Sequence, residues 1–351
     1  MQLSLSEKET GYKQMTSSTL FKIGASAVGL ALASRLMSRK PFELKGRVVL
    51  ITGGSRGLGL VMAREFQARG ARIAICARDA EELLRAQSDL EKTGTDVLAL
   101  QCDVSNNSQV QEMVSQVLER YGQIDVLVNN AGVIQVGPLD VMTQADFQRA
   151  MDTHFWGPLN TILAVLPSMR ERGNGRIVNI SSIGGKIGTP HLIPYSASKF
   201  ALVGLSKGLR SELANEGIMV TTVCPGLMRT GSPRNAEFKG NRQAEYAWFS
   251  ISDSLPFTSI QAERAARKII GACASGRAEL IISIQAKAAI MLDQLFPEAS
   301  AEVMAAVNKL LPSANGFGTR RAKGSDSTSS WSPSVLTVLT ERAAVRNNEV
   351  S

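Results

Sequence analysis

Val48-Val-Leu-Ile-Thr-Gly-Gly-Ser-Arg-Gly-Leu-Gly59 passes from an apolar strand through a glycine-rich turn into a helix. Glycine lets the backbone turn tightly there and lets an anionic group approach the positive end of the following helix. The spacing is Gly-x-x-x-Gly-x-Gly, and its place between a strand and a helix at the start of a βαβ unit points to a pyrophosphate-binding turn.

Outward from this turn, short apolar runs alternate with longer helical ones. Strands are expected at 48–52, 72–77, 97–101, 124–128, 176–180, 219–224 and 280–283, and helices at 58–69, 80–92, 108–121, 144–172, 195–216 and 261–273. Strand and helix repeated at this spacing predict an α/β fold, a doubly wound Rossmann-type parallel β-sheet in a single main domain over 44–285, with N- and C-terminal extensions. The ligand crevice of such a sheet lies outside the carboxyl ends of its strands. Gly53, Asn129, Ser182 and Tyr195 all fall just after strands.

Pro194 suits the first turn of a helix, and Tyr195 and Lys199, four residues apart, then share one face of it. A free phenol titrates near ~10, and a neighbouring ammonium moves it toward the working range of a proton donor. Ser182 lies just past a strand, where its hydroxyl can hold a substrate oxygen within reach of Tyr195. Taken alone, Tyr-x-x-x-Lys is also what a surface pair on an amphipathic helix looks like. A cofactor site elsewhere in the chain is what gives it chemical meaning.

Thr52-Gly-Gly-Ser-Arg-Gly-Leu-Gly59, Asp103-Val104, Asn129-Asn-Ala-Gly132, Ser182, Tyr195-x-x-x-Lys199 and Pro225-Gly226 followed by Thr230 together resemble, in the same order, the motifs of the short-chain dehydrogenases/reductases. The resemblance covers roughly residues 44–283. It implies a catalytic set of Ser182, Tyr195 and Lys199 and a nicotinamide cofactor on Thr52, Gly53, Ser55, Arg56, Gly57, Leu58 and Gly59. It assigns Asp103 to the adenine region, Asn129 to the sheet beside the cofactor and Thr230 to the carboxamide end. Val104, Ala131, Gly132, Pro225, Gly226, Met228, Tyr195 and Lys199 join the implied cofactor contacts. One residue departs from the family pattern. His154, in Met151-Asp-Thr-His-Phe-Trp-Gly157, stands where the family carries an Asn that supports a water relay to the lysine, much of it through its main-chain carbonyl. His154 is therefore a candidate catalytic residue, through its main chain or a titrating ring, with a packing histidine as the other reading.

An NAD site places a carboxylate at the end of the second strand, where it would repel a 2′-phosphate. Here that end reads Cys76-Ala77-Arg78, and Arg78 and Arg56 offer two guanidinium groups to a phosphate, so NADP(H) is expected. Arg78 as a solvated helix-start residue beside Asp79 is the plainer alternative. With these parts, Ser182 and Tyr195 bind a carbonyl oxygen, the nicotinamide supplies hydride, Tyr195 donates a proton, and Lys199 holds the ribose and lowers the tyrosine pKa. The expected function is an NADP(H)-dependent oxidoreductase interconverting a small-molecule carbonyl and a secondary alcohol. A non-catalytic NADP(H)-binding scaffold is the alternative. A sugar-nucleotide epimerase or dehydratase shares Tyr-x-x-x-Lys but fits neither the glycine spacing nor the lack of a large separate substrate domain.

Residues 227–258 form a long stretch holding Phe238, Tyr246, Trp248, Phe249 and Phe257 with Arg229, Arg234, Lys239 and Arg242. It reads as a lid whose aromatics either line a pocket for a bulky apolar carbonyl, of lipid, steroid or retinoid type, or pack the lid onto the domain.

The net charge of +8 looks like a nucleic-acid signal until it is located. Residues 1–46 carry seven Lys/Arg against three Glu, and residues 313–351 carry five against three acidic residues, which leaves +2 between them and implies no nucleic-acid face. Cys76, Cys102, Cys224 and Cys273 show no paired spacing, and with only two histidines neither a metal site nor a disulfide framework is indicated. Residues 1–18 read as a disordered leader and 19–40 as an apolar helix interrupted by Lys22. Its charge-free part, 23–34, spans only ~18 Å of a ~30 Å hydrocarbon core, so a marginal membrane anchor, an interfacial helix and a soluble helix all remain open. Arg35, Arg39, Lys40, Lys45 and Arg47 would keep an anchored catalytic domain on the cytoplasmic, inner face of a membrane. Residues 286–312 read as amphipathic helices, and 313–351, rich in Ser, Thr, Gly and Asn, as a disordered tail. The family resemblance further suggests a homodimer or homotetramer built on the Tyr195 helix and the 144–172 helix.

Overall fold

The computed structural model describes residues 42–255, 259–314 and 318–350. The expectations for the 1–18 leader, the 19–40 helix and Phe257 lie outside them. Among the described residues, no helix is long and apolar enough to cross a membrane.

Val48–Thr52, strand β1, is buried at every position, as a strand covered on both faces must be. It is joined in parallel by β2 (Arg72–Ala77), β3 (Val97–Gln101), β4 (Val126–Asn129), β6 (Gly175–Ile180), β7 (Ile218–Pro225) and β11 (Glu279–Ile282). The sheet order is β11-β7-β6-β4-β1-β2-β3. Ile51 of β1 sits opposite Ile75 of β2 and Val128 of β4. Alternate residues of β1 feed two cores, as the two-residue period of a strand requires. Val49 and Ile51 pack with Phe66 of α1 (Gly57–Gln67), Leu83 of α2 (Ala80–Glu91) and Ile269 of α8 (Ala262–Ala274). Leu50 packs on the other face with Val114 of α3 (Asn107–Tyr121) and Ile162 of α5 (Gly157–Glu171), where α6 (Ile193–Leu213) also lies against β7. Strand order reverses between β1 and β4, which opens a crevice at their carboxyl ends.

The expected 144–172 helix is two helices, α4 (Gln144–Met151) and α5, joined by a π-helical turn at Asp152–Trp156. Pro158 is the cause at hand, because it has no N–H to close an α-helical bond to the carbonyl of His154 four residues back.

Two small sheets sit beyond the main one. β5 (Gln135–Val136), β9 (Glu237–Phe238) and β12 (Ala322–Lys323) form one, and β8 (Leu227–Arg229) with β10 (Ser259–Gln261) the other. α7 (Arg242–Ser254) packs against both, and α9 (Ile284–Leu295) and α10 (Pro297–Leu310) occupy the segment read as amphipathic helices, with Ile284, Leu295 and Leu310 exposed. The expectation of a disordered tail over 313–351 is corrected for its described part. β12 pairs with β9, and α11 (Val338–Arg346) docks on α7, burying Thr340, Ala343 and Ala344. Few apolar side chains take part. Order comes from polar partners, Thr340 Oγ1 to Asp253 at 3.0 Å and Arg234 to Glu341 at 2.7 Å among them, which composition does not announce.

Candidate active site

The glycine turn is shaped by φ values of 62° at Gly53 and 54° at Gly57, a region that disfavours any side chain. Gly59 does different work. A Cβ there would strike the Gly53 carbonyl, so its lack of one lets α1 start against the turn. Thr52 Oγ1 accepts the N–H groups of Asn130 at 3.0 Å and Ala131 at 3.1 Å, and Asn130 Nδ2 donates to the carbonyls of Thr52 and Gly53 at 3.1 and 3.0 Å. Asn130 thus clamps the turn to the end of β4, a role that the motif reading passed over in favour of its neighbour. Asn129 lies behind the site. It donates to Asn179 Oδ1 at 2.9 Å and accepts from Thr161 Oγ1 at 2.6 Å, and Asn179 continues through Ser206 at 3.1 Å to Thr222. This buried ladder ties β4, β6, β7, α5 and α6 together.

One cleft of about 530 Å³ takes in Gly53, Ser55, Arg56, Gly57, Leu58, Arg78, Asp103, Val104, Ala131, Gly132, His154, Ser182, Tyr195, Lys199, Pro225, Gly226, Met228 and Thr230. Thr52, Gly59 and Asn129 stand outside its lining. Ser181, missed by the sequence reading, also lines it, and its hydroxyl donates to the Lys199 carbonyl at 3.0 Å, fixing α6 against the end of β6.

Pro194 sits in the first turn of α6, as expected, so Tyr195 and Lys199 rise from the same face. Lys199 is only 4% exposed; its Nζ donates to the Ile180 carbonyl at 2.9 Å and lies 5.6 Å from the centre of the Tyr195 ring. Burial pushes Lys199 down to about 7. The expected lowering of the Tyr195 pKa is corrected: burial raises it above the ordinary phenol range, and a hydrogen bond with Ser182 opposes that rise only in part.

His154 lies against Tyr195, ring centres 5.4 Å apart and edge-on. Its Nε2 accepts the Val133 N–H at 3.1 Å, so in the neutral ring the proton belongs to Nδ1, which meets Ser198 Oγ at 2.7 Å. Ser198 Oγ in turn donates to the Tyr195 carbonyl at 2.8 Å. Burial, helped by the charge of Lys199, holds the ring well below the usual histidine pKa. Through its two hydrogen bonds the ring braces Val133, beyond the end of β4, against α6.

At the far end, β2 closes on Ala77 with Arg78 after it, and Asp79 caps α2 by accepting the Glu82 N–H at 2.9 Å. Arg56 is held by Glu82 at 2.6 Å and by Glu349 at 3.4 Å. Asp103 Oδ1 accepts from the backbone and hydroxyl of Ser105 at 3.0 and 2.7 Å. The four cysteines are free and buried, and among the described residues no cluster could hold a metal ion.

A family model described as short chain dehydrogenase matches residues 47–239. The chain belongs to the short-chain dehydrogenase/reductase family. It is 34% identical over 294 residues to "Dehydrogenase/reductase SDR family member 7B" of Danio rerio, covering 81% of this chain and 93% of that protein. It is also 34% identical over 246 residues to the 3-ketodihydrosphingosine reductase of Mus musculus, covering 69% and 72%. Among solved structures, a single-residue variant of the actinorhodin polyketide ketoreductase with NADPH aligns at TM-score 0.61 and 35% identity over 68% of this chain and 95% of that one. A short-chain dehydrogenase/reductase of Burkholderia phymatum in complex with NAD aligns at TM-score 0.67 and 25% identity, over 74% and 96%. As a short-chain dehydrogenase/reductase the protein is an oxidoreductase.

The family match ends at 239, so α7 to α11 lie beyond it. In this short-chain dehydrogenase/reductase the described aromatics of the 227–258 stretch pack the lid onto the domain. Phe238, Tyr246 and Phe249 are buried together against Val136 and Ala236, with Trp248 at their edge, and none of the four lines the cleft. Trp248 Nε1 donates to Glu245 at 2.7 Å, and Glu245 meets His191 Nδ1 at 2.8 Å. The lid gives the cleft Met228, Thr230, Ser232, Asn235, Ala236 and Glu237 instead.

Proposed function

We propose that this short-chain dehydrogenase/reductase interconverts a carbonyl and a secondary alcohol with NADP(H), using Ser182, Tyr195 and Lys199, on a lipid-like ketone or the corresponding alcohol. The observation that carries the reading is the convergence of the Ser182 hydroxyl, the Tyr195 phenol and a buried Lys199 in the cleft that also holds the glycine turn.

The turn fits a dinucleotide. A Cβ at Gly53 would stand 2.8 Å from the Ala131 Cα, and α1 begins at Gly57 with no side-chain cap on its first N–H groups. Relatives have been solved with NADPH and with NAD, so family membership leaves the choice open. Ala77 where a carboxylate would repel a 2′-phosphate, with Arg78 and Arg56 beside it, favours NADP(H).

The nicotinamide supplies or accepts the hydride when bound. Ser182 and Tyr195 donate hydrogen bonds to the substrate carbonyl oxygen. Burial keeps the phenol protonated at neutral pH, so Tyr195 gives its proton to that oxygen as negative charge develops. Lys199, near 7, is divided between ammonium and amine, and its ammonium form stabilises the tyrosinate left behind. A lipid-like substrate is supported by the printed names of the mouse 3-ketodihydrosphingosine reductase and the polyketide ketoreductase, and by the exposed apolar residues of α9 and α10. Tyr195→Phe tests the assignment: turnover should fall about 10²–10⁴-fold with NADPH binding nearly intact. Turnover near that of the parent would remove Tyr195 from the chemistry.

A further inference from the structure

The C-terminal chain enters the glycine turn. The Gly57 N–H, at the start of α1, donates to the Asn347 carbonyl at 2.9 Å, although such N–H groups are the ones a helix leaves open to an anion. Glu349 follows, 7% exposed, with Oε1 standing 2.5 Å from where a Cβ on Gly57 would be. Its Oε2 accepts from Asn235 Nδ2 at 2.7 Å and pairs with Arg56 Nε at 3.4 Å. Between them, Asn348 Nδ2 donates to the carbonyls of Ser55 and Glu82, each at 2.9 Å, and its Oδ1 accepts from Arg85 Nε at 3.0 Å.

A carboxylate at the N-terminus of α1, within reach of an arginine of the glycine turn, occupies the chemical position of a dinucleotide diphosphate. Glu349 also lines the cleft itself, beside Ser55, Gly57 and Thr230. Both anions cannot be there together. We propose that residues 338–350 are an internal competitor of the dinucleotide: the Glu349 carboxylate stands in for the diphosphate, and the cofactor enters only as this segment leaves. The proposal rests on the reading that the cleft binds NADP(H).

The way the segment is held suits reversible release. α11 buries little beyond Thr340, Ala343 and Ala344, while Val335, Leu336 and Val345 face outward. Its attachments are polar: Thr340 N–H to Ser254 Oγ at 3.1 Å, Thr340 Oγ1 to Asp253, and Glu341 to Arg234. Burial lifts Glu349 to about 7 despite Arg56 and Asn235, so its partners do not fully repay the loss of water. An occupied cleft also lowers apparent affinity by the fraction of molecules left open, so a segment docked about nine times in ten weakens the cofactor about tenfold.

Hydrogen exchange on the full chain, with and without NADPH, separates a competitor from a flap that closes over bound cofactor. Exchange should rise across 338–350 on adding NADPH while it falls across 53–59. NADPH titrations should show tighter binding, by about tenfold if that docked fraction holds, for a chain ending at Thr337, and a smaller gain for Asn348→Ala, which keeps the whole chain but loses the hydrogen bonds to Ser55, Glu82 and Arg85. A synthetic peptide of residues 338–351 should compete with NADPH for the shortened chain. Exchange that falls across 338–350 with NADPH bound, or Asn348→Ala and the shortened chain binding no tighter than the parent, would overturn the proposal alone. Failure of every form to bind NADPH would overturn the cofactor reading and this inference with it.

Discussion

His154→Asn should cost stability and leave the pH dependence of turnover unchanged. The ring makes two hydrogen bonds in opposite directions, accepting from Val133 N–H through Nε2 and meeting Ser198 Oγ through Nδ1. Asparagine reaches only as far as the Nδ1 position, so Ser198 keeps a partner and the buried Val133 N–H loses its acceptor. Leaving one buried donor unpaired costs about 1–3 kcal/mol. In a domain of this size that is a fall in Tm of roughly 2–6 °C. Glutamine places its oxygen one carbon further out, where Nε2 was, so His154→Gln should lie nearer the parent. Calorimetry on the three proteins reads the stability order. The profile of kcat/KM against pH, from about 5 to 9, should keep the same limbs in all three, because burial and the Lys199 charge disfavour the protonated imidazole. Loss or displacement of a limb in His154→Asn would mean that the ring titrates during turnover, and the brace reading would fall.

Other substitutions probe the remaining parts. Burial holds Lys199 near 7 against the ordinary lysine value of 10.5, so its cost to the fold is largest below about pH 7 and vanishes as pH rises toward 10.5. Lys199→Met should therefore be inactive yet more stable than the parent at pH 7, by roughly 1–3 kcal/mol after loss of the Ile180 hydrogen bond, with the gap closing toward about pH 10; equal Tm values at pH 7 would contradict the depressed pKa. Arg78→Ala should lower kcat/KM for NADPH roughly 10–100-fold and leave NADH unaffected, as expected for one charge-assisted phosphate contact; equal losses with both cofactors would exclude Arg78 from 2′-phosphate recognition. Asn129→Ala should destabilise the fold by about 1–3 kcal/mol in urea titrations, since it strands the buried Asn179 Oδ1, while NADPH affinity changes little. A collapse of NADPH affinity at unchanged stability would place Asn129 in the cofactor site after all.

The sheet was legible because buried parallel strands are unbroken apolar runs, and all seven expected strands occur within two residues of their expected starts. Gly53 and Gly57 announced themselves because their positive φ values leave few other residues. Three things were hidden. The break at Asp152–Trp156 has a local marker in Pro158, but helical periodicity over 144–172 smooths over a single residue without an N–H. The partition of labour between Asn129 and Asn130 follows from strand alternation, which sends one side chain into the ladder and the next toward the turn. The tail could not be read at all, because its order comes from partners such as Asp253 and Gly57, more than eighty residues away in the chain for the first and nearly three hundred for the second. Tyr195 shows the limit of pairwise charge reasoning: Lys199 is near, yet burial of the phenol raises its pKa and only the hydrogen bond with Ser182 opposes it.

β12 has a consequence for handling the protein. It gives β9 its outer neighbour, pairing Ala322 with Phe238 and Lys323 with Glu237. A protease cut that removed it would turn β9 into a bare margin of the small sheet, with backbone groups seeking another chain. Glu237 and Phe238 would then invite pairing between molecules, and a preparation clipped near residue 320 should drift toward soluble aggregates on size exclusion while the intact chain does not.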